Sequence, residues 1–441
     1  MTTRRPSFAP TRRGFVAGCL GTVAAAAAEP RSLWAASTDR DILVAVFLRG
    51  GMDGLSLLPP LAGSDRDLYE AARPALAIPL AGDGAALTLD GDVGLHPAAA
   101  PLMPIFNAGR MAVVQATGMH HPTRSHFEAQ DFMELGTPGE KTITTGWLHR
   151  HLVSATNLPS EILIPAMAAG GMQPMSLLGS GETLTIDDPE LFTFATGPWR
   201  WLDEQRRAME RIYGLHTSVV NAAGTQSMNA VDIVATHVTG GYVPAGGAVY
   251  LDDETGGRFR LAAQMLSLDL GIRVVAIDVD SWDTHENQGN GPGGVFNGLV
   301  SSFASGLSAF LTDMAARPVG ERLTVVVMTE FGRRLVENGD AGTDHGHAAP
   351  MLVLGGNVVG GLHGLWPGLE PDELFEGVDL EVTTDYRQVL SEILIERLGN
   401  RRIGEVFPGY ASYEPLGVVH GSDRPPIYQD HRSGGTGRVG P

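Results

Sequence analysis

One short segment holds an unusual density of metal-ligand chemistry. Residues 342–350, GTDHGHAAP, place Asp344, His345 and His347 close together and surround them with small residues. Removing a carboxylate and two imidazoles from water side by side is unfavourable unless another group pairs with them. A divalent cation would pair with these side chains, so the segment predicts a metal-binding loop.

A second segment offers similar ligands. SWDTHENQ, residues 281–288, places Asp283 and His285 two positions apart. In an extended segment, side chains two positions apart point the same way, so both could reach one cation. Oxygen and nitrogen ligands together suit Zn²⁺, Mn²⁺ or a similar ion. The alternative is a turn in which Asp283 caps the segment that follows.

Two further segments carry charged or nucleophilic side chains. In TEFGRR, residues 329–334, Glu330 ends an apolar run, and Arg333 lies nearby. Glu330 is either a metal ligand or a partner that orients a histidine, and a plain ion pair with Arg333 is equally consistent.

The segment HHPTRSHFEAQD, residues 120–131, follows another apolar run and opens a predicted helix. Ser125 either caps that helix or acts as a nucleophile whose hydroxyl is ionised by a metal ion. In the second case Arg124 would hold a phosphate or sulfate oxygen, and Thr123 is the other candidate nucleophile. The sequence does not divide roles among His120, His121 and His126.

The elements that position these side chains follow from hydrophobic patterning. Apolar, β-branched runs predict strands within 41–54, 110–118, 161–171, 271–280, 322–332 and 350–361. Amphipathic stretches predict helices around 198–213, 257–270, 295–317 and 386–399. This alternation indicates an α/β fold with a large, mostly parallel sheet covered by helices on both faces. Ligands bind at the carboxyl ends of such strands, which is where the candidate residues lie.

Composition and charge limit the class of protein. The chain has 441 residues, 43% of them hydrophobic, and a formal charge of −19. Such an acidic protein should repel nucleic acid and anionic membrane surfaces, so neither is an expected partner. We therefore expect local cations to attract any anionic substrate.

The N-terminal segment 1–36 predicts export. Arg12 and Arg13 directly precede an apolar run rich in glycine and alanine, as in a twin-arginine signal. The run is too short for a stable membrane span, which needs ~20 apolar residues. Cys19 is the one cysteine of the chain, so the exported part would contain no disulfide. We expect the twin-arginine machinery as a partner and a periplasmic or secreted location.

Taken together, the motifs FLRGGMDGL, RSHFEAQD, WDTHENQ, TEFGR and GTDHGHA, in this order behind a twin-arginine signal, resemble the bacterial family called domain of unknown function 1501. The resemblance spans about residues 40–400 and implies membership of the alkaline phosphatase superfamily, with sulfatases. It implies an αβα sandwich over 37–420 and a two-metal site. Residues 421–441 are rich in glycine, proline and charge, which predicts a disordered tail. The implied metal ligands are Asp53, the pair Asp283 and His285, and the triplet Asp344, His345 and His347.

The sequence also departs from the superfamily patterns. A sulfatase carries a Cys or Ser, oxidised to formylglycine, two residues before Pro-x-Arg, and this sequence has His120 there. A formylglycine sulfatase is therefore not expected. The spacing Asp-x-x-x-His of alkaline phosphatases is replaced by Asp-Thr-His at 283–285.

These observations lead to one main hypothesis. The protein is an exported, metal-dependent hydrolase of phosphate or sulfate esters, with two divalent ions (Zn, Mn, Mg or Ca) and Ser125 or an activated water as nucleophile. Its substrate would be an anionic small molecule or polysaccharide ester. The alternatives are a non-catalytic phosphatase-fold protein that binds or assembles at the cell envelope, and a transferase or mutase using the same covalent intermediate.

The export hypothesis makes a direct prediction. Changing Arg12→Lys together with Arg13→Lys should leave the protein in the cytoplasm at nearly full length, because the arginine pair is the recognition element. Cell fractionation followed by immunoblotting measures this. Unchanged export of the double variant would contradict the hypothesis.

Overall fold

The computed structural model of the chain describes residues 40–158, 164–181, 183–189, 192, 199–215, 218–238 and 241–428. The predicted signal segment 1–36 and the last thirteen residues of the predicted tail lie outside the described residues.

Six of the strands match the runs predicted from the sequence, and shorter strands were not anticipated. The strands are β1 Ile42–Leu48, β2 Leu87–Thr88, β3 Gly94–Leu95, β4 Met111–Gly118, β5 Ala166–Ala169, β6 Thr183–Ile186, β7 Val274–Val279, β8 Leu323–Met328, β9 Arg333–Glu337, β10 Thr343–His345, β11 Ala349–Gly355, β12 Gly361–His363, β13 Leu374–Phe375, β14 Asp379–Leu380 and β15 Thr384–Asp385.

The four predicted helices are also present. The helices are α1 Gly54–Leu57, α2 Gly63–Ala72, α3 Met103–Asn107, α4 His126–Leu135, α5 Trp147–Ser154, α6 Leu202–Gly214, α7 Val219–His237, α8 Glu254–Ser267, α9 Val295–Ala315, α10 Tyr386–Glu392 and α11 Ile403–Val406. Helix α10 continues into a π-helical turn, Ile393–Arg397, and short 3₁₀ turns lie at Pro97–Leu102, Met175–Leu177, Trp199–Trp201 and Gly320–Arg322.

The main sheet confirms the predicted mostly parallel architecture. In the described part of the chain its strands are ordered β12-β4-β11-β8-β1-β7-β5-β6, and β15 also pairs with β4. All of these strands run in one direction except β11, which is antiparallel to both of its neighbours. The carboxyl ends of β1, β4, β7 and β8 therefore meet at one edge of the sheet, together with the amino end of β11.

Helices cover both faces of the sheet, as an αβα sandwich requires. Alternate residues of β1 point to opposite faces, so Val44 packs in one core with Phe303 of α9. Leu43 packs in a second core with Trp147 of α5 and Tyr386 of α10. Strand β1 is buried along its whole length, which explains why its sequence is an uninterrupted apolar run.

Helix α9 is long and apolar enough to span a membrane, judged by length and composition alone. In the structure it packs against α8 and the 3₁₀ turn Pro97–Leu102. Phe303 and Phe310 of this helix are buried in the core of the sandwich. Core packing therefore accounts for its apolar composition.

The structure differs from the sequence prediction at the start of the tail. Residues 421–428 are described, and Ile427 forms backbone hydrogen bonds with Arg401 and Gly404. The hydroxyl of Tyr428 accepts a hydrogen bond from the backbone N–H of Tyr413. This part of the segment is therefore docked onto the domain.

Candidate metal centre

The candidate residues are carried to one edge of the sheet by separate elements. Asp283 and His285 follow β7, and Glu330 follows β8. His126 opens α4, which follows β4, and His345 ends β10 in the segment leading into β11. Because all these strand ends meet at the same edge, side chains far apart in sequence come into contact there.

Three of these residues form the centre of the site. The Nε2 atoms of His126 and His345 lie 2.9 Å apart, and they lie 3.3 and 3.2 Å from Oδ1 of Asp283. Adjacent ligands of one ion with bonds of ~2.0–2.2 Å lie about 3 Å apart. The three atoms therefore have the spacing of ligands to a shared cation, and this set of residues could hold a metal ion.

His285 is a fourth residue close to the same atoms. Its Nε2 atom lies 2.8 Å from Nε2 of His345 and 3.0 Å from Oδ1 of Asp283. We call these four residues, His126, Asp283, His285 and His345, the histidine–aspartate cluster.

Each imidazole of the cluster is oriented by an acceptor at its other nitrogen. Nδ1 of His126 lies 2.7 Å from Glu330 Oε1, and Nδ1 of His345 lies 2.8 Å from the backbone carbonyl of Arg124. Nδ1 of His285 lies 3.4 Å from Oδ1 of Asp344. Because these acceptors have no proton to give, Nδ1 carries the hydrogen, and in the neutral ring the Nε2 lone pair faces the centre. Metal-bound histidines characteristically have such partners.

The electrostatics of the cluster favour positive charge at its centre. Burial opposes ionisation of Asp283, but Arg333 outweighs it and lowers the pKa of Asp283 to about 2. Burial, with the charge of His126, lowers the pKa of His345. For His126 burial acts in the same direction, but the hydrogen bond and charge of Glu330 outweigh it and raise the pKa. His126 therefore holds a proton more tightly than His345 does.

Arg333 joins the loops that carry the cluster. It is 1% exposed, and its guanidinium donates to the carbonyls of Gly51 and Thr343 at 2.6 and 2.8 Å. It also donates to the carbonyl of Gly50 and, at 2.7 Å, to Oδ1 of Asp283. One buried cation therefore fixes the ends of β1, β7 and β10 relative to one another.

Two glycines allow the loops to approach this closely. Gly50 has a φ of +121°, and a Cβ atom there would lie 2.5 Å from the backbone nitrogen of Asp283. A Cβ atom on Gly342 would lie 2.1 Å from the carbonyl carbon of His285. Any side chain at either position would separate the loops that bear the histidine–aspartate cluster.

The structure corrects the assignment of Asp53 as a metal ligand. Both of its oxygens accept from the guanidinium of Arg73, at 2.6 and 3.0 Å, and Oδ2 also accepts from Ser56 and Gln288. All four side chains are fully buried. Arg73 supplies the positive charge that the sequence analysis gave to a metal ion there, so Asp53 supports the fold instead of binding a cation.

This buried group nevertheless supports the histidine–aspartate cluster. The side-chain oxygen of Gln288 accepts from the hydroxyls of Thr284 and Thr343, at 2.9 and 2.8 Å. Thr284 lies between Asp283 and His285, and Thr343 begins β10, which ends at His345. Gln288 thereby holds the two loops together from behind.

Three other predicted ligands contribute no atom to the centre of the histidine–aspartate cluster. Glu330 is 1% exposed and accepts from Gly50, His126 and Gln130, so it orients His126, as one of the alternatives proposed. Oδ1 of Asp344 lies 3.4 Å from Nδ1 of His285 and accepts a hydrogen bond from the side-chain amide of Asn338.

His347 is the third of these residues. Its ring stacks on Phe375 at 4.1 Å, and burial lowers its pKa to about 4. Among the described residues, the potential ligands that come together form one group, His126, Asp283 and His345.

The predicted catalytic residues, Arg124, Ser125 and Thr123, each have different contacts. The guanidinium of Arg124 pairs with Asp379 and Glu376, so it is not free to hold a substrate oxygen. Its contribution to the site is the carbonyl that orients His345. Ser125 occupies the N-cap position of α4, but its side chain makes no capping hydrogen bond. The hydroxyl of Thr123 donates a hydrogen bond to Oε2 of Glu128 at 2.9 Å.

His126 is the functional candidate that the sequence analysis did not assign. Its motif contains several histidines, and spacing alone does not separate them. The useful indication was its position in the first turn of a helix that follows a strand of the main sheet, because that places it at the edge where the other ligands collect.

Comparison with known proteins supports part of the sequence-based resemblance. Residues 202–398 match the model of the family described as "protein of unknown function (DUF1501)". The resemblance inferred from the motifs is confirmed over these residues, which include Asp283, His285, Glu330 and the segment 342–348. No curated protein matches the sequence significantly.

Three solved structures have a distant similarity to this chain. A protein in the alkaline phosphatase superfamily from Vibrio parahaemolyticus has 11% identity and a TM-score of 0.35, with 73% of this chain and 62% of that chain covered. The C-terminal periplasmic domain of EcEptC from Escherichia coli has 9% identity and a TM-score of 0.32, with 72% of each chain covered. A 2-O GAG sulfatase has 10% identity and a TM-score of 0.29, with 73% of this chain and 66% of that chain covered.

The geometry predicts a graded response to substitution. His345→Ala should abolish stoichiometric Zn²⁺ or Mn²⁺ binding, because His345 Nε2 contacts every other ligand atom of the cluster. Asp344→Asn should weaken binding by roughly 10–100-fold, because Asp344 acts through His285. His420→Ala, at an exposed histidine, is the control. Elemental analysis and calorimetric titration measure these effects, and equal metal binding by all three variants would contradict the assignment.

Metal affinity should also depend on pH. The pKa of His126 is raised, so below that pKa a proton occupies the ring that must bind the ion. Affinity should therefore rise as pH increases through the pKa of His126, with release of a proton on binding. Titrations in two buffers with different protonation enthalpies measure this release. Affinity that is constant between acidic and mildly alkaline pH would contradict a site built on His126.

Proposed function

We propose that this protein is a metal-dependent hydrolase of phosphate or sulfate esters. The observation that carries this proposal is the histidine–aspartate cluster, in which three imidazoles and one carboxylate converge and each imidazole has its own acceptor at Nδ1. Such an arrangement orients ligands for a cation at the edge of a sheet where α/β enzymes bind their substrates.

The donor set favours particular metals. Three imidazole nitrogens and one carboxylate oxygen suit Zn²⁺, Mn²⁺ or a similar transition metal, whereas Ca²⁺ and Mg²⁺ prefer oxygen ligands. The proposed ion is therefore Zn²⁺ or Mn²⁺, and not Ca²⁺ or Mg²⁺. When bound, the cation supplies the positive charge that stabilises the developing negative charge on the ester oxygens.

The fixed charges of the chain explain why a cation is needed. The overall charge of −19 opposes an anionic substrate. Arg124 is neutralised by Asp379 and Glu376, and Arg333 is enclosed by carbonyls and Asp283. The cluster is therefore the place where the negative charge of an ester can be offset.

Ser125 is the proposed nucleophile. It directly precedes His126, it is exposed, and its side chain does not cap α4. Attack by its Oγ would transfer the phosphoryl or sulfuryl group to the serine and release the alcohol of the ester, and water would then release the acid. The backbone N–H groups at the start of α4 favour negative charge near this position.

We also propose that the protein works outside the cytoplasm. The support is the arginine pair before the apolar run in residues 1–36. The twin-arginine route exports folded proteins, which suits a site that assembles its ligands only in the folded state. The proposed substrate is an anionic small-molecule or polysaccharide ester.

A second candidate function is a binding or assembly protein at the cell envelope. Two ion pairs favour it: Asp53 is paired with Arg73, and Arg124 is paired with carboxylates. Parts that a two-metal hydrolase would use are thus committed to other contacts. In this case the cation would be a structural or ligand-binding element.

Turnover of p-nitrophenyl phosphate and p-nitrophenyl sulfate separates the two functions. The protein loaded with Zn²⁺ or Mn²⁺ should hydrolyse one of them, and Ser125→Ala should lower kcat by orders of magnitude with unchanged metal content and melting temperature. Ser422→Ala, at an exposed serine, should behave as wild type. Full activity of Ser125→Ala would contradict the nucleophile assignment, and no turnover with either metal would favour the binding function.

A further inference from the structure

A cavity of about 570 Å³ lies beside the histidine–aspartate cluster. Its walls come from the ends of β1 and β7, from the loop after β5 and from one side of α4. Cavities of this size bind small organic molecules. None of its residues belongs to the cluster, so it is a separate feature of the same sheet edge.

The wall of the cavity is connected to the cluster through one amide. Gln130 donates from Nε2 to Glu330 Oε1 at 2.8 Å, and the same oxygen contacts Nδ1 of His126 at 2.7 Å. The side-chain oxygen of Gln130 accepts from Arg49, which also lines the cavity. A molecule in the cavity therefore lies next to the residues that would hold the ester group.

The charged residues of the cavity are paired with one another or with a neighbouring cation. Arg49 binds Glu134 at 3.1 Å and Asp278 at 2.9 Å. Arg258 binds Asp280 at 3.0 Å, and Lys141 binds Asp131 at 2.8 Å. Since both arginines that line the cavity are committed to carboxylates, the cavity offers no uncommitted cation to an anionic group.

The mouth of the cavity carries exposed apolar side chains. Phe127 is 85% exposed and Met172 is 82% exposed. Phe127 belongs to α4 and follows His126 in the chain, whereas Met172 belongs to the loop after β5. An aromatic ring and a flexible thioether at one opening are suited to contact with a flat apolar group.

We propose that this cavity binds the alcohol portion of the ester, and that this portion is uncharged and contains an aromatic ring that packs against Phe127 and Met172. The proposal rests on the proposed hydrolase function and adds the substrate class. The ester group lies at the cluster and the ring lies in the cavity. As Oγ of Ser125 forms its bond to phosphorus or sulfur, the bond to the leaving oxygen breaks, and the serine proton passes through solvent to that oxygen. The neutral alcohol then leaves from the cavity. An anionic leaving group is disfavoured by the carboxylates that line the cavity.

Binding of 2-naphthol tests the cavity without requiring turnover. Fluorescence titration of the full protein should show binding of 2-naphthol, weakened about tenfold or more in Phe127→Ala/Met172→Ala because both ring contacts are lost. The anion 2-naphthoate should bind more weakly than 2-naphthol. Leu365→Ala, at a residue that is 70% exposed and not among those lining the cavity, is the matched control. Unchanged binding by the double variant, or equal binding of 2-naphthoate, would overturn the proposal.

Kinetics separate failure of the cavity from failure of the hydrolase function. The double variant should raise KM for an aryl ester with little change in kcat or metal content, and leave KM for the methyl ester unchanged. If esters are hydrolysed and the aryl KM does not change, the cavity proposal alone is wrong. If no ester is hydrolysed while 2-naphthol binding still depends on Phe127 and Met172, the hydrolase function is wrong, and with it the assignment of the cavity to a leaving group.

Discussion

The convergence of imidazole lone pairs on one carboxylate oxygen is the constraint on which the site depends. Nε2 of His345 lies within 2.9 Å of the corresponding atoms of His126 and His285. Two lone pairs at this distance repel unless a proton or a cation lies between them. The acceptors at Nδ1 prevent the rings from turning away, so the fold holds an arrangement that a cation stabilises.

Much of the surrounding structure resists this repulsion. Arg333 joins three loops by hydrogen bonds to carbonyls of two of them and to the carboxylate of Asp283 in the third. Gln288 joins two of these loops through buried hydroxyls. The buried pair of Asp53 and Arg73 anchors Gln288 in turn. Such buried charges are favourable only when fully paired, so loss of one partner should disturb the loops that carry the ligands.

The sequence predicted the sheet and three residues of the histidine–aspartate cluster because their determinants are local. Apolar runs marked β1, β7 and β8, and the residues after them had to lie at one edge. Asp53 followed the same rule, but its partner Arg73 is twenty residues away, and sequence patterns do not show which buried cation pairs with which carboxylate. His126 was missed for a similar reason, because its role depends on Glu330, which is distant in sequence but adjacent in the fold.

The central claim is that three histidines and one aspartate bind a single transition-metal ion. X-ray absorption spectroscopy at the metal edge of the protein, purified from its native source, tests it most directly. The account predicts scattering from about three imidazole rings and one oxygen ligand at ~2.0–2.2 Å. A protein that retains no metal after mild purification, or a metal surrounded by oxygen ligands alone, would contradict it.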